Sequence, residues 1–249
     1  MNQTLADRWA QLEPHVQAFG PDDGSVRPAV LLFHGCGGLR AHLPRYAQAA
    51  VAAGFRAYII DSYAPRGWGR ELALSMVCTG ILLRGVERAG DVLAALWGVG
   101  QRPEVDADRL AMAGWSHGGW SIMDLMTLGL NQPGDAYLAD PTPAPLEGVR
   151  AVACFYAYVG PGALSRVRPW LRKPRTLAVS ARRDHLTTLG AANRLWDRIE
   201  DGGVPVQRWV AEGTHAFDEP TGLPPMRHDP VLAAEAERRF AEFLKAALA

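Results

Sequence analysis

Short apolar runs recur along the chain with a regular beat. Ala29 to Phe33, Phe55 to Ile60, Arg109 to Ala113, Val149 to Phe155, Thr176 to Ser180 and Val206 to Val210 are each flanked by Gly, Pro or Asp. Runs that are apolar on successive residues suit strands of a mostly parallel sheet, because such strands meet helices on both faces. Between them, residues 42–53, 86–97, 120–130, 187–200 and 230–248 carry apolar positions three or four apart with charges between, the pattern of helices buried along one side. The alternation predicts an α/β fold, a doubly wound, mostly parallel sheet with helices on both faces, as one domain over residues 1–249. Residues 1–28 precede the first clear strand as an N-terminal extension, in which His15 to Phe19 is a candidate edge strand.

Two connections are longer than this fold needs. Ser62 to Gly85 holds Pro65, Arg66, Gly67, Trp68 and Gly69, and Asn131 to Gly148 carries four prolines and reads as an irregular excursion over 131–148. Both are candidates to border a pocket.

Composition narrows the partners. The chain has 249 residues, 48% of them hydrophobic, enough for one large core. Lys+Arg and Asp+Glu are both 26, so no global field attracts a polyanion and nucleic acid is not an expected partner. Lys173 and Lys245 are the only lysines, leaving few candidates for Schiff-base chemistry. The N-terminal stretch MNQTLADRWAQLEPH mixes charged and apolar residues, unlike a signal peptide, and no apolar run approaches the roughly 18 to 20 residues that cross a bilayer. A soluble cytoplasmic protein without a membrane partner is expected, as a monomer or homodimer. Three cysteines, an odd number, fit reduced thiols better than a disulfide framework.

Candidate chemistry begins at Gly114-Trp115-Ser116-His117-Gly118, a G-x-S-x-G match. It sits between a strand run and a helical pattern, where a strained turn holds a serine hydroxyl outward and a glycine on each side lets two backbones approach. A serine at its own pKa is a poor nucleophile, so it needs a histidine to take its proton and a carboxylate to orient that histidine. Asp184 follows the run ending at Ser180, and His215 follows the run ending at Val210. Both fall just past the carboxyl ends of strands, the edge where open α/β sheets place their sites. Ser116, Asp184 and His215 therefore form the expected catalytic set. Asp218 is the alternative acid, but it shares the loop of His215 and has no strand end of its own. The histidines at 15, 42, 117, 185 and 228 are read as surface or satisfied polar residues.

Phe33-His34-Gly35-Cys36-Gly37-Gly38, Asp61-Ser62-Tyr63-Ala64-Pro65-Arg66-Gly67, Gly114 to Gly119, Asp184 and Gly213-Thr214-His215 together resemble the dienelactone hydrolase family of α/β-hydrolases, from about residue 28 to the C-terminus. The enzyme that names this family has a cysteine nucleophile, whereas the matching position here is Ser116, as in relatives that look like general esterases. The resemblance implies an oxyanion hole formed by the backbone N–H groups of Cys36 and His117. Cys36 as nucleophile is a weaker alternative, since it lacks the strand-turn-helix elbow. A disulfide between Cys36 and Cys78, tying the long connection to this corner, is a further reading that would require an oxidising compartment. Cys154 fits a small core residue.

Tyr63, Arg66, Trp68 and Trp115 are the candidate substrate-binding residues, with Arg66 placed to hold a substrate carboxylate if it does not pair with Asp61 or Glu71. Arg88 and Asp91, three apart on one helix, are expected to be a surface pair. Trp120 and Trp196 are expected in the core. Neither a metal-ligand spacing nor a phosphate-binding glycine motif appears, so no cofactor and no metal are expected. The expected activity is hydrolysis of a small-molecule ester, lactone or thioester through a serine acyl-enzyme. The alternatives are a peptidase or acyltransferase using the same triad, or a non-catalytic binding protein on the same fold.

Overall fold

Seven strands form one sheet in the order β1-β3-β2-β4-β5-β6-β7. They are β1 Gln17–Phe19, β2 Arg27–Phe33, β3 Arg56–Ile60, β4 Val105–Trp115, β5 Val149–Phe155, β6 Arg175–Arg183 and β7 Val206–Thr214 in a computed structural model that describes residues 3–78, 82–141, 144–222 and 224–248. Every neighbouring pair is parallel except β1 with β3, which is antiparallel. The doubly wound architecture read from the runs is the one observed. The strands reach beyond their apolar centres, so that β6 runs on to Arg183 and β7 to Thr214, carrying Asp184 and His215 to the carboxyl edge.

The helices are α1 Leu5–Leu12, α2 His42–Ala52, the single turn α3 Arg70–Leu72, α4 Gly85–Gly100, α5 His117–Met126, α6 Leu189–Asp201 and α7 Pro230–Leu248. Successive strand residues face opposite layers. Leu31 and Phe33 belong to the core layer that includes α1, α4, α5 and α6, whereas Val30 and Leu32 belong to the layer that includes α2 and α7. Helix α1 was not foreseen, although Thr4 and Asp7 form a capping box at its start and Leu5, Trp9 and Leu12 give it a buried stripe. Trp9 sits so close to α4 that a Cβ at Gly98 would lie 2.1 Å from its ring.

The two long connections differ in use. Beyond Ser62 the chain forms a short 3-10 turn, α3 and a five-residue π segment, Ala73–Val77, all beside the carboxyl edge of the sheet. The described part of 131–148 forms two 3-10 turns packed on α4. Residues 79–81 and 142–143 of these connections lie outside the described residues. Among the described residues no helix is long and apolar enough to cross a membrane.

Candidate active site

Strand β4 and helix α5 meet at Ser116, whose backbone sits at φ 50°, ψ −109°. A non-glycine residue in this region costs on the order of 1–3 kcal/mol and persists only where its surroundings enforce it. Here they do. The Ser116 N–H donates to the Phe155 carbonyl at 2.9 Å, and its own carbonyl accepts from Trp120 and Tyr158 N–H at 3.0 and 3.2 Å. The flanking glycines are a steric requirement: a Cβ at Gly114 would come within 2.5 Å of the Gly118 backbone, and one at Gly118 within 2.1 Å of the Phe33 carbonyl oxygen.

The turn points the serine at His215, whose Nε2 lies 2.9 Å from Ser116 Oγ. His215 Nδ1 lies 2.7 Å from Asp184 Oδ2, and both side chains are almost wholly buried. The carboxylate fixes Nδ1 as the protonated nitrogen and leaves Nε2 as the acceptor for the serine proton. Asp184 is itself held, because its Oδ1 accepts from the Leu186 and Thr187 amides at 2.8 Å each. The serine of the G-x-S-x-G turn and the two residues singled out from strand-end positions are thus joined in one hydrogen-bonded line.

Asp218, the alternative acid, is engaged elsewhere. Its carboxylate accepts from Tyr46 Oη at 2.7 Å, Tyr156 Oη at 2.6 Å and Trp115 Nε1 at 3.2 Å. The ring of Tyr156 in turn lies edge-on to His215, with centroids 4.8 Å apart. Asp218 therefore supports the floor of the site from below. Sequence spacing could not reveal this, because its three donors come from α2, β4 and the end of β5.

Gly35 to Gly38 lies beside the elbow, and the Cys36 and His117 N–H groups donate to no acceptor among the described residues. Below this corner runs a buried polar network. Arg88 is fully buried and donates to Ser62 Oγ at 2.9 Å and the His34 carbonyl at 2.8 Å. It lies 3.3 Å from His117 Nδ1, while His117 Nε2 faces the Leu83 carbonyl at 2.6 Å. Burial, and then the Arg88 charge, push His117 down to about 3, so it stays neutral and does not act as a base.

Several expectations are corrected here. Arg88 and Asp91 are not a surface pair: both are buried, and Asp91 is bound by Arg66 at 2.8 and 2.9 Å and by Arg8 at 2.6 Å. Arg66 is thereby occupied, and neither it nor Tyr63 nor Trp68 lines a cleft at Ser116. Tyr63 instead donates to the Cys36 carbonyl at 3.1 Å, with Trp68 packed on its ring. Of the four candidate substrate contacts only Trp115 borders the site. The cysteines are not all reduced: Cys36 and Cys78 form a disulfide, which removes Cys36 as a nucleophile, and buried Cys154 is the free thiol. The excursion at 131–148 borders neither cleft among its described residues.

Two clefts do open on Ser116. One, about 280 Å³, is bounded by Arg40, His42, Leu74, His185, His215 and Met226. The other, about 240 Å³, is bounded by Val77, Arg84, His117, Trp120, Tyr158 and Gly162. His42 is thus not the surface or satisfied polar residue expected from the sequence, and His185 borders the first cleft. His42 is buried with neither ring nitrogen hydrogen-bonded among the described residues, and His185 stands 5.7 Å from the His215 ring. Among the described residues no cluster of His, Cys, Asp and Glu is arranged to hold a metal.

No family model and no curated protein matches the chain. Solved structures share its fold. A dienelactone hydrolase-like promiscuous phosphotriesterase from metagenomic libraries superposes with a TM-score of 0.69 at 19% identity, covering 92% of this chain and 90% of that one. Thermogutta terrifontis esterase 2, phosphonylated by cyclosarin, gives 0.65 at 16% identity, covering 92% and 87%. Porphyromonas gingivalis dipeptidyl peptidase 4 gives 0.64 at 18% identity, covering 94% of this chain but 33% of that one. The fold is that of dienelactone hydrolase-like proteins and esterases.

Proposed function

We propose that this chain is a serine hydrolase of the dienelactone hydrolase-like kind, cleaving a small carboxylic ester, lactone or thioester through an acyl-enzyme. The observation that carries this reading is the unbroken line Asp184–His215–Ser116 at a strained turn on the floor of two clefts. Ser116 Oγ attacks the carbonyl carbon as His215 Nε2 takes its proton. The oxyanion accepts from the Cys36 and His117 amides, which have no competing acceptor among the described residues and sit at the loop after β2 and the first turn of α5. The acyl-oxygen bond then breaks, His215 returns the proton to the leaving oxygen, and water attacks the acyl-enzyme by the same route. Asp184 keeps His215 in the required tautomer throughout. This chemistry calls on no cofactor, and one domain over residues 1–249 carries it.

The dipeptidyl peptidase among the structural neighbours keeps amide cleavage as a second reading, since the triad is indifferent to the leaving atom. The complete triad disfavours a binding protein without activity. The cytoplasmic location expected from the N-terminal stretch sits poorly with the Cys36–Cys78 disulfide, which favours an oxidising compartment.

A fluorophosphonate probe followed by peptide mapping, beside Ser116→Ala and initial rates on short-chain p-nitrophenyl esters, tests the proposal. Label on the Ser116 peptide, lost in the variant with most of the turnover, is the expected result. Well-folded protein with neither label nor turnover would overturn it, and peptide amides cleaved faster than esters would favour the second reading.

A further inference from the structure

Among the described residues the two clefts share four of their bounding residues: Cys36, Cys78, Ser116 and Leu186. Ser116 is the common floor. The disulfide and Leu186 therefore stand on the divide above it, and the disulfide fixes the π segment Ala73–Val77 against the oxyanion corner. Leu74, on that segment, faces the first cleft, and Val77 faces the second.

The proton route assigns the clefts. In the tetrahedral intermediate the leaving oxygen must come within hydrogen-bond reach of His215 Nε2, or it departs unprotonated. His215 bounds the first cleft and not the second, whereas His117, which carries one oxyanion amide, bounds the second and not the first. The group on the leaving oxygen then extends along Arg40, His42, Leu74 and Met226. The acyl chain extends along Val77, Trp120 and Tyr158. We propose that the Cys36–Cys78 disulfide is a specificity partition, keeping the alcohol part of the substrate in the first cleft and the acid part in the second. This rests on the esterase reading above and adds to it a substrate class: esters with two separately recognised arms rather than one long chain threading a single tunnel.

Kinetics separate the arms, because the alcohol has left before deacylation begins. Two ester series serve as probes, alkyl acetates of increasing alcohol length and p-nitrophenyl esters of increasing acyl length. Leu74→Trp narrows the first cleft at a partly exposed position, and Tyr158→Ala widens the second. Leu74→Trp should lower kcat/KM for hexyl acetate against ethyl acetate about tenfold, with the rate of acetyl-enzyme hydrolysis unmoved. Tyr158→Ala should change the hydrolysis rate of the hexanoyl-enzyme severalfold and leave the alcohol-length preference alone. The opposite pattern overturns the assignment.

Cys78→Ala, or reduction of the wild type if that variant does not fold, should flatten both length preferences. Unchanged preferences would overturn the partition. Fluorophosphonate labelling run alongside distinguishes the levels of failure: a labelled, active enzyme with the wrong pattern refutes the partition alone, whereas absent labelling and turnover remove the esterase reading beneath it.

Discussion

The same isosteric change, aspartate to asparagine, should have opposite consequences at Asp184, bound to His215, and at Asp218, bound to the tyrosine packed against it. In Asp184→Asn, the Leu186 and Thr187 amides, both 2.8 Å from Oδ1, keep the asparagine oxygen on their side. The new NH2 must then face His215 Nδ1, which can only accept from it. The imidazole proton moves to Nε2, 2.9 Å from Ser116 Oγ, and the base is lost while the geometry survives. A wrong tautomer of this kind lowers kcat by about 10⁴, or about 5.4 kcal/mol of barrier. In Asp218→Asn, an oxygen in the Oδ2 position can still accept from Tyr46 and Trp115, but the NH2 then meets Tyr156 Oη, whose proton loses its acceptor. Losing one buried charge-assisted bond and weakening two costs about 2–3 kcal/mol, or about 4–12 °C in Tm for a chain of this size. Initial rates on p-nitrophenyl acetate and thermal melts, run on both variants, decide. Asp184→Asn should melt near the wild-type temperature with almost no activity, and Asp218→Asn should melt early with kcat within about tenfold of wild type. Activity retained in Asp184→Asn, or lost a thousandfold in Asp218→Asn at unchanged Tm, would refute the division of roles.

Three further outcomes are expected. Burial raises the Asp124 carboxyl from 3.8 to about 7 with its Oδ2 unpartnered among the described residues, so the stability it contributes is full below pH 3.8 and is lost as pH rises through about 7. Asp124→Asn should remove that loss, gaining on the order of 4 kcal/mol at pH 8; urea melts in which its advantage over wild type is the same at pH 5 and pH 8 would refute this. Arg66→Ala should lower stability by about 3 kcal/mol, since buried Asp91 would retain only Arg8. Its preference between neutral and acidic esters should stay as it was, because Arg66 borders neither cleft, and a shift in that preference would restore it as a substrate contact. Thiol titration should find no reactive cysteine in the native protein, one after unfolding without reductant and three with it, from buried Cys154 and the Cys36–Cys78 pair; reactive Cys36 in the native state would contradict the disulfide.

What was legible in the sequence is what local constraint writes there. The strand runs stand out because strands covered on both faces are apolar on successive residues, and the elbow stands out because Gly114 and Gly118 each face a backbone closer than a Cβ permits. Asp184 and His215 followed from the rule that sites collect where parallel strands end. Helix α1 was legible but unread: its capping box and its stripe of Leu5, Trp9 and Leu12 lie in an extension that did not fit the strand-helix beat.

The misread residues share a different property, in that their partners are distant in the chain. Arg88 and Asp91 have the spacing of a surface pair, yet α4 turns both inward, and their partners are Ser62, His34, Arg66 and Arg8. Arg66 was singled out because a cation near an ester suits a carboxylate; the structure spends that cation 25 positions along the chain, on Asp91. A buried Arg88 is costly unless its donors are met, and Nε and Nη1, which are met by Ser62 and the His34 carbonyl, tie it to the loops after β2 and β3, while Nη2 has no partner among the described residues. The motif His-Gly-Cys-Gly-Gly therefore marks where the loop after β2 meets the elbow at Ser116, but its position in space depends on an arginine and an aspartate from α4 that no local pattern connects to it. Ser116, Asp184 and His215 are held in their line by more than one another, because the buried charges of Arg88 and Asp91 keep the loops in place around them.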